Sequence, residues 1–473
     1  MLMFSRLLLL SILSVLLFQC QTPGSDEESL PPITVQEDSL ALEVIEETRR
    51  SWDSYKRYAW GHDVLAPLSK SYKDWYEEPL YISPIDAYST LFLMGLEEEA
   101  AEIEAYVVDS LDFEKDINAK IFEVNIRILG GLLSMYELSQ NEQVLAKAQD
   151  FADRMMPAFE SGTGIPHYWV NLKTGVPSGD TVNVAEAASY TFEMGILSYY
   201  TQDPKYYQAA KKATLAVYNR RSEIGLIGDV IDVETGEWVS TQAHICAGVD
   251  SYYEYLYKSY ALFGDQELGA IWEESMAPVH HYLAEDYKGQ LWYGRVNMET
   301  GEPESAVVTL YDAFFPAILA LSGDLNRAVA YQESWASLWN KYGLEPMIYD
   351  YKTETPNYPV YDLNPEIMES AYYLYSLTGE SKYRDMNVSF WSDIKKYCRT
   401  EVAFTSVENV ETMEKRDYMP TFFFAETLKY LYLTFSILDH PYQFEDLLFT
   451  TEAHPFRRAN FDQEKAKAYL GIK

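Results

Sequence analysis

The sequence predicts an all-α chain whose helices pair into a closed toroid of seven helical hairpins, on three observations. From Leu40 onward amphipathic helical windows recur, such as 124–138 and 252–262, with no strand-rich region and no Gly/Pro-rich linker. A helix-ending signal returns along the chain, mostly at intervals of roughly sixty residues, the length of a two-helix unit with its loops. Several segments place one or two carboxylates in apolar, aromatic-rich helical surroundings. Ionised carboxylates are costly to bury unless they share a polar site, so their recurrence points to one convergent acidic pocket. An open solenoid is the competing arrangement, but it would scatter the motifs along a groove, whereas closure gathers them on one axis.

From the N-terminus, residues 1–20 read as a targeting segment, with Arg6 as the charged start and an apolar run from Leu7 to Phe18 too short to span a bilayer comfortably. Cleavage after Leu17-Phe18-Gln19 would leave a bacterial lipoprotein end at Cys20, although Gln19 is bulky where a small residue is usual. Simple secretion is the alternative. Residues 21–39, rich in Pro, Ser, Asp and Glu, read as a disordered tether, and a single folded domain is expected over 40–473. Its helix-ending signals fall at Met94-Gly95-Leu96-Glu97, Leu138-Ser139-Gln140-Asn141, Tyr200-Thr201-Gln202-Asp203, Phe263-Gly264-Asp265, Leu321-Ser322-Gly323-Asp324, Leu377-Thr378-Gly379-Glu380 and Phe435-Ser436-Ile437-Leu438-Asp439. Each is an apolar run, then Ser, Thr or Gly, then an acidic or amide residue, then another helix.

With 473 residues and 48% hydrophobic content the chain can bury one large core or two ordinary ones. A formal net charge of −36 argues against nucleic acid, whose phosphates demand a basic surface, and is compatible with calcium affinity. Three cysteines cannot make a disulfide framework, so stability must come from packing. Seven histidines without metal-ligand spacing make zinc catalysis a poor fit.

The acidic segments are Phe122-Glu123-Val124-Asn125-Ile126-Arg127, Asp250-Ser251-Tyr252-Tyr253-Glu254, Asn364-Pro365-Glu366-Ile367-Met368-Glu369, Ala425-Glu426-Thr427 and Thr451-Glu452-Ala453-His454-Pro455. This is the profile of a glycoside hydrolase, in which one protonated carboxyl serves the leaving oxygen and one carboxylate activates water. Arg127 follows Glu123 by four residues and can orient that carboxylate or hold a sugar; an ordinary helical ion pair is the plainer reading. The pairs Asp250/Glu254 and Glu366/Glu369 each share one helix face, where like charges repel unless a cation or a hydroxyl network compensates. Thr451 before Glu452 reads in isolation as a helix N-cap, and His454 as a packed, hydrogen-bonded histidine rather than a ligand.

At these motifs the chain resembles glycoside hydrolase family 47, the class I α-mannosidases, and within it the ER degradation-enhancing α-mannosidase-like branch. Further matching stretches are Tyr58-Ala59-Trp60-Gly61-His62-Asp63, Ile85-Asp86-Ala87, Thr163-Gly164-Ile165-Pro166, Val170-Asn171-Leu172-Lys173-Thr174-Gly175 and Ala425-Glu426-Thr427-Leu428-Lys429-Tyr430. The resemblance implies an (α/α)7 barrel, a bound Ca2+ and inverting, exo-acting hydrolysis of terminal α-1,2-linked mannose from mannosides or high-mannose glycans. By the same resemblance Glu123 is the acid and Glu366 the base, with Asp250 an alternative acid acting through water. Arg127, Glu186, Glu193, Glu254, Glu369, Glu426 and Glu452 would hold sugar hydroxyls and calcium-bound waters, and Thr451 would give its hydroxyl and carbonyl to the metal. Four departures bear on specificity: Asn364 stands where the family has Arg, Glu345-Pro346-Met347 replaces Leu-Pro-Glu, Ser89 replaces Asp, and Pro420-Thr421 replaces Glu-Ser. The alternatives are a mannose-binding protein with weak turnover and an (α/α)-barrel glycosidase for another sugar or linkage. With one N-glycosylation sequon, Asn387-Val388-Ser389, and the lipobox-like end, a secreted or envelope-anchored bacterial protein is expected, acting as a monomer, with the ER lumen as the lesser alternative.

Overall fold

Six times along the chain an almost wholly buried helix stops at a residue with positive φ, and a second, amphipathic helix runs back along it. The computed structural model describes residues 39–436 and 441–473, so the targeting segment, Cys20 and all but the last residue of the tether lie outside the described residues. The inner helices are Ile82–Leu93, 121–139, 184–201, Asp250–Phe263, 310–322, Glu366–Thr378 and 423–435. The first six are paired in order with outer helices Glu97–Asp109, Glu142–Met155, Lys205–Tyr218, Gln266–Pro278, Leu325–Tyr342 and Ser381–Cys398. The seventh inner helix finds its outer partner at the other end of the chain, in Ser39–Ala59, and packs laterally against Ile82–Leu93. The ring therefore closes, as the recurrence of acidic motifs predicts, and the open solenoid does not form.

The sequence signals have a direct physical origin. The residues at the six turns, Gly95, Gln140, Gln202, Gly264, Gly323 and Gly379, all take φ between 55° and 99°, which reverses the chain in one or two residues. The acidic or amide residue that follows often caps the outer helix: Asn141 accepts from Gln143 N, Asp265 from Glu267 N and Leu268 N, and Asp324 from Arg327 N. Outer helices bury one stripe only, as Glu142–Met155 does through Val144, Leu145, Ala148, Phe151, Ala152 and Met155. The seventh signal, after Phe435, runs into residues 437–440 outside the described set, and Ser436 there is extended rather than left-handed.

The connections from outer to inner helices are longer and carry what the sequence did not predict, seven of the eight small antiparallel sheets among the described residues, with strands of two to four residues. They lie at the end of the ring opposite the tight turns. One hairpin, Leu447–Phe449 with Pro455–Arg457, instead plugs the ring. Phe449 packs on Tyr372, Tyr373 and Tyr430, Phe456 on Phe192, and Glu137 Oε1 accepts from Arg457 N, so the hairpin is wedged among four inner helices. Asn387, the sequon residue, is fully buried and donates to Met368 O and to Thr434 Oγ1, which removes it as a glycan acceptor in the folded chain.

Candidate active site

A cavity of about 290 Å3 occupies the middle of the ring, floored by the tip of the plugging hairpin and open at the sheet-bearing end. Its walls are the N-terminal turns of the inner helices, because those turns end the long connections. Asp250 and Glu366 are each the first residue of an inner helix, where the helix dipole favours a negative group. Eight carboxylates line the cavity, Glu123, Glu186, Asp250, Glu254, Glu366, Glu369, Glu426 and Glu452, against two cations, Lys120 and Arg127. Thr451 lines it too, in the turn between the two plug strands, so the N-cap reading is corrected: no helix begins there.

Glu123 sits between Lys120 Nζ at 3.3 Å and Arg127 Nε at 3.1 Å. Burial pushes its carboxyl up, but the two cations outweigh that and hold it below the usual range. Arg127 also pairs with Glu452 and lies 3.7 Å from Asp86, so it is the hub of a buried network rather than a surface helical pair. Asp250 has no cation. Burial raises it to about 7, offset in part by Ser251 N donating to Oδ1 at 2.7 Å and reinforced by the charges of Glu254 and Asp312. Glu366 is raised to about 8 by burial, offset in part by Asn364 Nδ2 donating to Oε1 at 3.4 Å and reinforced by the charges of Glu369 and Asp250.

The repulsion expected within the Asp250/Glu254 pair is met by a buried lysine, Lys258, bonded to Glu254. Glu369 accepts from Tyr430 Oη at 3.1 Å and is itself raised to about 8 by burial. Glu186 closes a capping box with Asn183 and meets Lys120 Nζ at 3.0 Å. Glu426 and Arg127 lie in two short π-helical turns, Phe423–Thr427 and Asn125–Leu129, an irregularity that often marks functional positions.

Glu193 is the one predicted site residue that does not reach the cavity. It is buried behind the wall, accepts from Asn125 Nδ2 at 3.0 Å and from Tyr255 Oη, and is raised to about 8 by burial. Tyr255 Oη in turn accepts from Thr451 N at 3.1 Å, so Glu193 acts on the turn through Tyr255. Lys429, also buried, fixes the same turn by donating to Ala453 O at 2.6 Å, and Ala453 is held at φ 56°. His454 is fully buried and packed as expected, with Nε2 3.5 Å from Asp86 Oδ1, but neither ring nitrogen makes the expected hydrogen bond among the described residues. Glu345 does not replace the missing acidic position. It is buried outside the cavity, near enough to Glu366 to feel its charge, and both its carboxyl oxygens lack partners among the described residues.

The donor set fits a hard cation. Neither the hydroxyl nor the carbonyl of Thr451 has a partner among the described residues, and the adjoining wall carries a surplus of carboxylates. No group of three acidic, His or Cys side chains among the described residues forms a direct cage, so the cation would be held by Thr451 and by waters bonded to Glu186, Glu254, Glu369, Glu426 and Glu452.

The family model for glycosyl hydrolase family 47 matches residues 47–458. The chain belongs to glycosyl hydrolase family 47. Among family relatives, the Arabidopsis thaliana protein named alpha-mannosidase I MNS5 is 34% identical across 97% of this chain and 83% of its own length. The human ER degradation-enhancing alpha-mannosidase-like protein 2 is 34% identical across 96% of this chain and 82% of its own. The alpha-1,2-mannosidase from Trichoderma reesei superimposes with a TM-score of 0.82 at 28% identity, covering 89% of this chain and 99% of that one. The family-47 fold is the (α/α)7 barrel described above, and the chain is a glycoside hydrolase.

Proposed function

We propose that this chain is an inverting, calcium-dependent exo-α-mannosidase that removes terminal α-1,2-linked mannose from mannosides or high-mannose glycans. The carrying observation is the convergence of Glu123, Asp250 and Glu366 on one closed-ended cavity inside a family-47 barrel. Only a chain end fits such a cavity, which supports exo action. Inversion needs one protonated carboxyl and one ionised carboxylate far enough apart to admit water. Asp250, raised to about 7, is suited to donate a proton near neutrality, whereas Glu123 is pinned as an anion by Lys120 and Arg127. We therefore assign the donor role to Asp250 and a sugar-orienting, charge-stabilising role to Glu123. Glu366 is the base, oriented by Asn364, and must lose its proton to work. Thr451 would hold a divalent cation, which when bound would supply positive charge beside the neighbouring carboxylates and coordination for vicinal sugar hydroxyls.

The test is release of free mannose from α-1,2-mannobiose or a high-mannose glycan, with calcium and with chelator, following the anomer by NMR. β-Mannose appearing first, and only with calcium, is the expected outcome. α-Mannose appearing first, or release unaffected by chelator, contradicts the reading. A weakly catalytic glycan-binding protein is the second reading, favoured by Asn364 in place of Arg and by the withdrawal of Glu345 from the cavity. Glycan binding without mannose release would establish it. The N-terminal targeting pattern supports export, with or without an anchor at Cys20.

A further inference from the structure

Beside the mouth of the cavity lies a second, open pocket of about 590 Å3, lined by Asp74, Trp75, Tyr76, Glu77, Asn118 and Trp169. It is joined to the catalytic wall through shared neighbours. Lys120, which meets Glu123 and Glu186, pairs with Trp169 across the Asn118–Lys120 and Trp169–Asn171 strands and donates its backbone N–H to Tyr76 Oη at 3.1 Å. Arg127 lies over the Trp75 ring, its Cζ 5.4 Å from the ring centre. The three aromatic side chains are only partly buried, which is unusual for rings that have no core to join.

Their backbone is fixed. The buried Asp63 accepts from Trp75 N at 3.1 Å and from Leu80 N at 2.8 Å, and Asp74 Oδ1 accepts from Asp63 N at 3.0 Å. The pocket thus offers held, half-exposed ring faces with carboxylate and amide groups between them. Its lining carries two carboxylates and no cation, which disfavours an anionic or acidic ligand and suits a neutral, hydroxyl-rich one. A glycan whose terminal sugar is seated in the closed-ended cavity must send the rest of its chain out through the mouth that this pocket borders.

We propose that Trp75, Tyr76 and Trp169 form a platform for the second and further sugars of a neutral oligosaccharide, so that this chain selects for substrates longer than a disaccharide. This rests on the glycosidase reading above and deepens it. Sugar rings present C–H faces that stack on aromatic rings while their hydroxyls reach Glu77 and Asn118. Binding energy gained there, remote from the scissile bond, fixes the reacting sugar and raises the rate on long substrates.

The test compares kcat/KM on α-1,2-linked mannobiose and mannotetraose for the wild type, Trp169→Ala and Tyr76→Phe. In the wild type the tetrasaccharide should be preferred by about tenfold, as stacking on one or two rings supplies. Trp169→Ala should bring that ratio close to one, chiefly through KM on the tetrasaccharide, whereas Tyr76→Phe, which keeps the ring, should preserve it. Equal use of both substrates by the wild type, or an unchanged ratio in Trp169→Ala, overturns the platform. The same sugars are titrated against Glu366→Gln with tryptophan fluorescence as the readout. If the wild type releases no mannose but the tetrasaccharide binds Glu366→Gln about tenfold more tightly than the disaccharide, and Trp169→Ala abolishes that difference, the platform stands and the mannosidase reading falls. If neither sugar binds, the platform falls with it.

Discussion

At the residue scale the cavity separates carboxylates that are similar in sequence by the company they keep. Asp250, with no cation beside it, holds its proton to about 7, while Glu123 is ionised by its two cations. Asp250→Asn and Glu366→Gln should each lower kcat by about a thousandfold with the fold intact, as loss of a proton-transfer group does. With the base Glu366 raised to about 8 and the donor Asp250 to about 7, the rate should climb up to pH 7, hold between 7 and 8 and fall above 8, and steady-state rates across pH for Asp250→Asn should lack the alkaline fall. Tyr255→Phe should weaken calcium about tenfold by freeing Thr451 N, read by calorimetric titration on a variant whose circular dichroism matches the wild type. Glu123, Asp250, Glu254, Glu366, Glu369 and Glu426 were legible in the sequence because a carboxylate in an aromatic helical run is anomalous, whereas Glu186 came from the family resemblance alone and Glu452 stands in a hairpin turn that had read as helical. Lys120, Lys258 and Lys429 were not, since a lysine in a helix or at a loop reads as solvated until the ring that buries it is known.

At the scale of the element, helix ends were the most legible feature, because a left-handed residue followed by a capping side chain is local chemistry. Where the left-handed residue is not glycine, the Cβ costs energy. Gln202→Gly, at φ 56°, should stabilise the chain by about 0.5–1 kcal/mol, measured by urea denaturation. The two-to-four-residue strands were illegible for the opposite reason: they are too short to show alternation, and their pairing depends on connections brought together by the ring. The π turns at 125–129 and 423–427 were likewise invisible, since they arise from how neighbouring helices fit. Glu193 was named by the family resemblance but not by its depth, which no spacing reveals.

For the whole molecule, closure depends on Ser39–Ala59, which supplies the seventh outer helix from the far end of the chain. Its Trp52 is fully buried and packs edge-on against Phe424 at 5.7 Å. Trp52→Ala should cost about 3–5 kcal/mol and lower activity through loss of folded protein, checked by denaturation and by specific activity per folded molecule. Burial raises Glu193, Glu366 and Glu369 to about 8 and Asp250 and Asp312 to about 7, from ordinary values of 4.5 and 3.8. A folded state that binds protons more tightly than the unfolded one is most stable at low pH, and this contribution is lost as pH rises through 7 to 8. Metal-free protein should therefore melt at a lower temperature at pH 8 than at pH 5, and calcium should raise the melting temperature more at pH 8, both read by scanning calorimetry.

The hairpin that plugs the ring also governs traffic. If the chain acts on glycan ends as proposed, a cavity floored by this hairpin and open at the sheet-bearing end would make a freed monosaccharide leave past the remainder of the chain it was cut from. The shortened glycan would then step back before the product escapes, and each catalytic cycle would end in dissociation. Trimming of this kind would be distributive, with intermediates of every length accumulating in solution and free monosaccharide competing with the next chain end for the same seat.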